Sequence, residues 1–198
     1  MGFMKGKGKL LKTILIGIPI IVYLLWVTGS IQLWFNGISY FHGNVEDYYL
    51  EHSIIDGDYS VTIDLSDPNS NEGKILYDDG ENQIYVSDVI IRDENYQVYF
   101  QTSGKYSLKG ASLVSITKHS RVENGGFTYN FEGNAFATYR GHTYKISQSG
   151  SSGINYRNGD IFGVYLTPYD TELTIDIAEE PMIKVTISNL IMHKWGRN

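Results

Sequence analysis

An uncharged, apolar stretch near the N-terminus constrains this chain more than any other feature. Residues 13–35 read TILIGIPIIVYLLWVTGSIQLWF and contain no charged side chain. As a helix the stretch would be about 34 Å long, which exceeds the thickness of a bilayer's hydrocarbon core, about 30 Å. Because a chain in lipid must satisfy its own backbone hydrogen bonds, we expect one transmembrane helix over residues 13–35, with the lipid bilayer as its partner.

Basic residues before this stretch predict its orientation. The first twelve residues contain no acidic side chain and four lysines: Lys5, Lys7, Lys9 and Lys12. Basic flanks stay on the cytoplasmic side, so residues 1–12 are predicted to form a cytoplasmic tail. The protein is therefore expected in the cell membrane as a single-pass protein, with its C-terminal domain outside the cytoplasm. Trp26 and Trp34 lie toward the far end, where indole rings favour the headgroup level.

A cleaved signal peptide is the alternative interpretation of the same stretch. Such a peptide also begins with basic residues, and Val27-Thr28-Gly29 fits a signal peptidase site. However, the apolar run resumes at residues 31–35, which is an unusual start for a soluble mature chain. We therefore predict an uncleaved signal anchor. A buried helix of a soluble domain is disfavoured, because the stretch is longer than most globular helices.

Composition limits the chemistry of the remaining chain. The absence of cysteine removes disulfides, thiolate metal ligands and cysteine nucleophiles, and it suits an exported bacterial protein. Four of the sixteen basic residues lie in the first twelve positions. The remainder thus carries twelve basic residues against twenty-two acidic ones, a formal net charge of −10. Such a domain repels phosphate backbones, and no nucleic-acid partner is expected.

The hydrophobic period changes to two at Tyr59, which indicates β-strands. Tyr59 to Leu65 alternates between apolar and polar residues, so Ile63 is predicted to face the core and Thr62 the solvent. An Asp-Gly pair at Asp79-Gly80 predicts a hairpin. Further strand-like runs are residues 96–102, 111–118, 127–132, 135–140, 142–147, 161–166, 172–177 and 182–195. Residues 59–198 are therefore predicted to form an all-β domain, an antiparallel β-sandwich or barrel of about ten strands.

A short connector joins the apolar stretch to this domain. Residues 36–58 begin with a glycine-bounded segment, and residues 44–55 favour a short helix because Asn44 is a suitable N-cap. This prediction depends on a weak helical period. The boundary with the β-domain is placed at residue 59.

None of the catalytic or metal-binding motifs in the sequence has the spacing and structural context that its chemistry requires. Ser115 and Lys118 have the Ser-x-x-Lys spacing of penicillin-recognising enzymes, but that spacing on a strand points the two side chains to opposite faces. The five histidines show no zinc-ligand spacing, so we predict no metal and no cofactor. A carboxylate pair for glycoside hydrolysis cannot be selected among twenty-two acidic residues. No catalytic residue is predicted.

The segment after the Gly/Ser-rich loop of residues 149–153 is the predicted ligand site. It concentrates an aromatic ring, a cation, an amide and an acid within five positions: Tyr156, Arg157, Asn158 and Asp160. Loops on a rigid scaffold commonly carry recognition. In the alternative interpretation Asn158-Gly159 is a hairpin turn and the neighbouring side chains only surround it.

These features favour a membrane-anchored extracytoplasmic β-domain that acts as a non-enzymatic binding or assembly module at the bacterial cell envelope. Its partner would be an envelope protein or a wall polymer. The alternative is a membrane-tethered hydrolase that cleaves wall glycans with a carboxylate pair. A binding module is expected to show an exposed sheet edge or an aromatic patch, whereas a hydrolase is expected to show acids or histidines clustered in a deep pocket.

Overall fold

The computed structural model describes residues 3–44, 46–92, 95–122, 127–154, 157–167 and 173–198, with side chains for all of these except 3–14 and 127. The described helices are α1 (Phe3–Val27), α2 (Ser30–Asn36), α3 (Ser39–Gly43) and a 3₁₀ turn, Pro68–Asn71. The described strands are β1 (Tyr48–Asp64), β2 (Ile75–Asp78), β3 (Gln83–Arg92), β4 (Asn95–Ser103), β5 (Tyr106–Ser107), β6 (Gly110–Ser115), β7 (Thr117–Arg121), β8 (Phe127–Phe131), β9 (Asn134–Tyr139), β10 (His142–Lys145), β11 (Gln148–Ser151), β12 (Ile161–Tyr165) and β13 (Met182–Arg197).

The strands pair into two antiparallel sheets and one separate hairpin. A six-stranded sheet has the order β10-β9-β13-β6-β5, with β1 paired along the other side of β13. A five-stranded sheet has the order β11-β12-β4-β3-β2, and β7 pairs with β8. The prediction of an all-β antiparallel domain is confirmed. Side chains from the two larger sheets lie in one core.

Side chains from both sheets form the main core. Val61 and Ile63 on β1 are buried together with Val98 and Phe100 on β4. Ile63 is fully buried whereas Thr62 is exposed, which confirms the predicted alternation. The long pairing of β1 with β13 therefore presents one apolar face to the second sheet.

The helical N-terminal segment joins the domain through a second apolar cluster. This cluster contains Leu33, Ile38, Phe41, Tyr48, Leu113, Ile154 and Trp195. The turn between α2 and α3 requires Gly37, whose φ is +56°, because a Cβ there would lie 1.9 Å from the carbonyl oxygen of Arg157. The N–H of Ile38 donates to that same carbonyl at 2.8 Å. The two short helices are thus packed against the β-domain.

The apolar stretch is broken into two helices where a single one was predicted. α1 ends at Val27, and α2 continues at 68° to it after a break at Thr28 and Gly29. Among the described residues, no single helix is both long and apolar enough to cross a membrane, although Leu15–Val27 and Ser30–Asn36 meet the length and composition criteria as a bent pair.

Two local predictions differ from the structure. Tyr48 begins β1, so most of the 44–55 segment is a strand and not the helix favoured by Asn44. Residues 190–197 of β13 supply hydrogen-bond partners for alternate residues of this strand. The predicted strand at residues 172–177 is also absent from its described part, Leu173 to Ile177, although Ile175 is buried in the core. Residue 172 lies outside the described residues.

Candidate functional site

The predicted ligand segment does not present its side chains as one group. Arg157 and Asn158 are exposed, and the Arg157 Nε donates to the Tyr106 hydroxyl at 3.3 Å. Asp160, in contrast, has no exposed surface. Tyr156 lies outside the described residues. Arg157 and Asn158 therefore face solvent, while Asp160 belongs to the interior.

Asp160 is the centre of a buried hydrogen-bond network. Its carboxylate accepts hydrogen bonds from the hydroxyls of Thr102 (2.6 Å) and Ser115 (2.8 Å) and from Nε2 of His119 (2.7 Å). The backbone N–H of Asp160 donates to the Thr102 hydroxyl at 2.7 Å. Burial by itself raises the pKa of Asp160, but these hydrogen bonds and the charge interaction with His119 outweigh burial and hold that pKa below its usual range. Asp160 is therefore an ionised, fully satisfied buried acid.

Three further histidines surround His119. The ring of His193 lies 5.2 Å from that of His119 and 5.0 Å from that of His52, measured between centroids. The ring of His42 lies 6.2 Å from that of His119. Nε2 of His52 donates to the carbonyl oxygen of His119 at 2.7 Å. We call this group, with Asp160, the histidine cluster; it comprises His42, His52, His119, His193 and Asp160.

Hydrogen bonding defines the protonation of His193. The backbone N–H of His119 donates to its Nε2 at 3.1 Å, so the proton of the neutral ring is on Nδ1 and points to the carbonyl oxygen of Leu113 at 3.3 Å. Burial, reinforced by His119 and His52, lowers the pKa of His193 to about 3. Burial also lowers the pKa of His42 to about 4. Both rings are neutral near pH 7.

The histidine cluster has the geometry of a structural network. Ser115 and His119 both bond to Asp160, so the serine is not hydrogen-bonded to a histidine base as a nucleophile would be. Ser115, His119 and Asp160 are each at most 1% exposed, which leaves no room for a substrate. Within the described part of the chain, no three histidine or acidic side chains are placed to hold a metal ion.

Sequence reasoning missed this cluster because its members are far apart in the chain. His52 and His193 meet because they are directly opposed in the pairing of β1 with β13. His119 reaches them from β7, and Asp160 lies just before β12. Strand pairing joins His52 to His193, and the packing of α3, β7 and the loop before β12 against them adds His42, His119 and Asp160. No local spacing in the sequence encodes these contacts.

A second feature of the structure is the outer edge of β1. Among the described strands β1 pairs only with β13, so its other edge has no strand beside it. Residues in an antiparallel strand turn their backbone groups to alternate sides. Since the Asp47 carbonyl accepts the N–H of Asn198 on the β13 side, Leu50, His52 and Ile54 turn their N–H and C=O groups to the open edge.

The two halves of this edge differ. Beyond the bulge between Ile55 and Asp58, side chains cover the backbone: Nζ of Lys74 donates to the Thr62 carbonyl at 3.1 Å, and the Asn71 side chain bonds the backbone of Asp64. Among the described residues, no side chain is hydrogen-bonded to the backbone of the half from Tyr48 to Ile55. Ile54 there is 68% exposed. We call residues 48–55 the open edge.

Comparison of the chain with protein-family models, with curated proteins and with solved structures finds no match in any of the three.

Proposed function

We propose that this protein is a membrane-anchored binding module whose extracytoplasmic β-domain receives an extended segment of an envelope protein on the open edge. The observation that carries the proposal is the uncovered half of β1, with the backbone groups of Leu50, His52 and Ile54 directed outward. Adding a strand to such an edge supplies backbone hydrogen bonds, and pockets for alternate side chains give specificity.

The apolar surface of α1 supports membrane anchoring. Every large apolar side chain from Leu15 to Val27 is between 43% and 66% exposed, and such a surface needs cover by lipid. α2 would contribute to membrane anchoring in a different way from α1. Its Leu33 is buried in the second apolar cluster, whereas Trp34 and Phe35 are 65% and 68% exposed. α2 would lie along the membrane surface, with its aromatic side chains at the headgroup level.

The packing of Leu33 bears on whether the N-terminal segment is cleaved. Part of the apolar run at residues 31–35 now has a role in the β-domain, so that run does not by itself indicate a membrane anchor. Trp34 and Phe35 have no such role among the described contacts. The uncleaved anchor is proposed on the basis of these two side chains and the exposed surface of α1.

We expect the intact chain to remain in carbonate-washed membranes at its full mass, with a C-terminal reporter active only outside the cytoplasm. Ile21→Lys should reduce this retention, because a lysine at the centre of a membrane helix costs about 2.5–3.5 kcal/mol. Intact-mass measurement of the membrane and soluble fractions checks the retention of the wild type at full mass and its reduction in Ile21→Lys. A soluble product that begins at Ser30 or Ile31 would show that the segment is a cleaved signal peptide.

The composition of β1 indicates the kind of strand that it accepts. β1 contains no lysine, arginine or proline, the residues that commonly protect an edge from further pairing. Its exposed charges are all acidic: Glu51, Asp56 and Asp58. A neutral or basic segment with an apolar side chain opposite Ile54 would complement this edge.

Ile54→Pro is expected to abolish partner binding while the domain stays folded. The N–H of Ile54 faces the open edge, so proline removes the donor for an incoming strand and no hydrogen bond to β13 is lost. Photo-crosslinking in cells, from a reactive side chain at position 51, measures partner capture in the wild type and the variant. Far-UV circular dichroism checks the fold.

Ile75→Pro serves as the matched control. Ile75 is 46% exposed on β2, the edge strand of the five-stranded sheet. This variant should retain the crosslinked product. If the folded Ile54→Pro protein gives the same product as the wild type, the partner does not bind at the open edge.

A further inference from the structure

A groove lies where α1 meets the β-domain. It has a volume of about 730 Å³, and its lining includes Trp26, Gln32, Tyr40, Asp47, Tyr48 and Arg197. Trp26 belongs to the last turn of α1, so the groove opens beside the end of the apolar helix. We call it the elbow groove.

The corner of the elbow groove is built around a glycine. Gly29 lies between α1 and α2 with φ +77°, and a Cβ at this position would come within 2.5 Å of the Tyr40 hydroxyl. The tyrosine can therefore approach the backbone only because no side chain is present. Tyr48, which packs edge-on to Tyr40 at 6.1 Å between ring centroids, donates to the Leu108 carbonyl at 3.1 Å. The aromatic wall of the groove is thus held in place by the β-domain.

Opposite charges line the same groove without neutralising each other. Arg197 is paired with Tyr48 in the β1–β13 ladder, and the backbone of Asn198 bonds to Asp47, which fixes both positions. Asp47 and Arg197 are both exposed, and neither forms an ion pair with another described residue. A ligand that carries both an anion and a cation can interact with each of them.

We propose that the elbow groove binds the headgroup of a zwitterionic phospholipid that carries a phosphate and a primary ammonium group. The guanidinium of Arg197 binds phosphate oxygens, a geometry for which arginine is well suited, and the carboxylate of Asp47 accepts from the ammonium group. With α1 inserted in the membrane, Trp26 would lie at the headgroup level, where indole rings are favoured. The inference rests on the proposed membrane anchoring, which places this groove at the outer membrane surface.

Native mass spectrometry of the full chain in detergent micelles tests the assignment. Equal amounts of phosphatidylethanolamine, phosphatidylglycerol and phosphatidylcholine are added, and the retained lipid is counted. We expect phosphatidylethanolamine to be retained most strongly. Arg197→Ala should weaken retention of all three lipids by about tenfold or more, because it removes the charged donor to the phosphate oxygens. Asp47→Asn should remove only the preference for phosphatidylethanolamine over phosphatidylglycerol.

Matched controls are Lys184→Ala on β13 and Asp58→Asn on β1, which remove exposed charges outside the groove and should leave retention unchanged. Equal retention of the three lipids by the wild type would overturn the proposal, as would unchanged retention in both groove variants. Soluble glycerophosphoethanolamine should compete only weakly; if it binds as tightly as the lipid, the ligand is a free phosphate compound and the lipid assignment is wrong. Carbonate extraction reports membrane anchoring separately, so failure of lipid selectivity and failure of anchoring are distinguishable.

Discussion

Asp160→Leu is expected to lower the free energy of unfolding by about 3–5 kcal/mol, the usual cost of removing one partner from a buried charged network. The leucine would leave the hydroxyls of Thr102 and Ser115 and Nε2 of His119 buried without their acceptor. Each such unsatisfied group costs about 1–3 kcal/mol. Urea unfolding of the intact chain at pH 7.5 in mild detergent, followed by circular dichroism, measures the change.

Asp88→Leu is the matched control for this substitution. Asp88 lies on β3 and is exposed, so the same replacement there should change the free energy of unfolding by no more than about 0.5 kcal/mol. Combining Asp160→Leu with His119→Leu should cost less than the sum of the single changes, by about 0.5–3 kcal/mol, because the two side chains share one interaction. An Asp160→Leu protein as stable as the control would show that the network does not stabilise the fold.

The domain is also expected to lose stability as the pH falls below 6.5, and His193 is the main cause. Burial, together with His119 and His52, lowers the pKa of His193 to about 3 in the folded chain, whereas the unfolded histidine titrates at 6.5. Between these two values the unfolded chain binds the additional proton. The free energy of unfolding therefore decreases as the pH is lowered, by about 1.4 kcal/mol per pH unit for one fully shifted group.

Two neighbouring groups also lower the free energy of unfolding as the pH falls. The pKa of His42, which burial lowers to about 4, extends the loss over the window from 6.5 to 4. The lowered pKa of Asp160 contributes only below the ordinary aspartate value of 3.8, where the unfolded carboxylate begins to be protonated first. Destabilisation between pH 6.5 and 4 is thus assigned to the histidines and not to the buried acid.

Urea unfolding at pH 7.5, 6.5, 5.5 and 4.5 checks this dependence. His193→Gln should reduce the slope by about 1 kcal/mol per pH unit, since it removes the titrating ring. His142 is exposed on β10, so His142→Gln should leave the slope unchanged. An identical slope in the wild type and in His193→Gln would mean that His193 is not the buried group that takes up the proton.

Much of the architecture was predictable because it depends on local patterns. The alternation of Val61, Thr62 and Ile63 specifies which side of a strand is buried, and the structure places these side chains accordingly. The Asp79-Gly80 pair lies in the hairpin between β2 and β3, where Gly80 adopts φ +85°. Such signals act over a few residues, and they hold wherever one face of a strand packs against a core.

Long-range pairing decided the remaining elements. Residues 44–55 carry a weak helical pattern, yet most of them join β1 because the long β13 strand offers continuous hydrogen-bond partners. Residues 111–118, which resemble one strand, divide at Ile116 into β6 and β7. Ile116 is fully buried, and the carbonyl of this residue accepts the N–H groups of Glu132 and Gly133. A single sequence window contains no information about these distant partners.

The candidate sites likewise combine features that local sequence determines with features that depend on long-range contacts. The sequence by itself determined an apolar, uncharged N-terminal stretch, an acidic remainder without cysteine, and a β-rich domain, because these follow from residue type and local period. Only the tertiary structure decided that Asp160 is enclosed by His119, Thr102 and Ser115, and that the outer edge of β1 stays open over residues 48–55. Hydrogen bonds between residues more than forty positions apart depend on strand order and register, and those are properties of the whole packed chain.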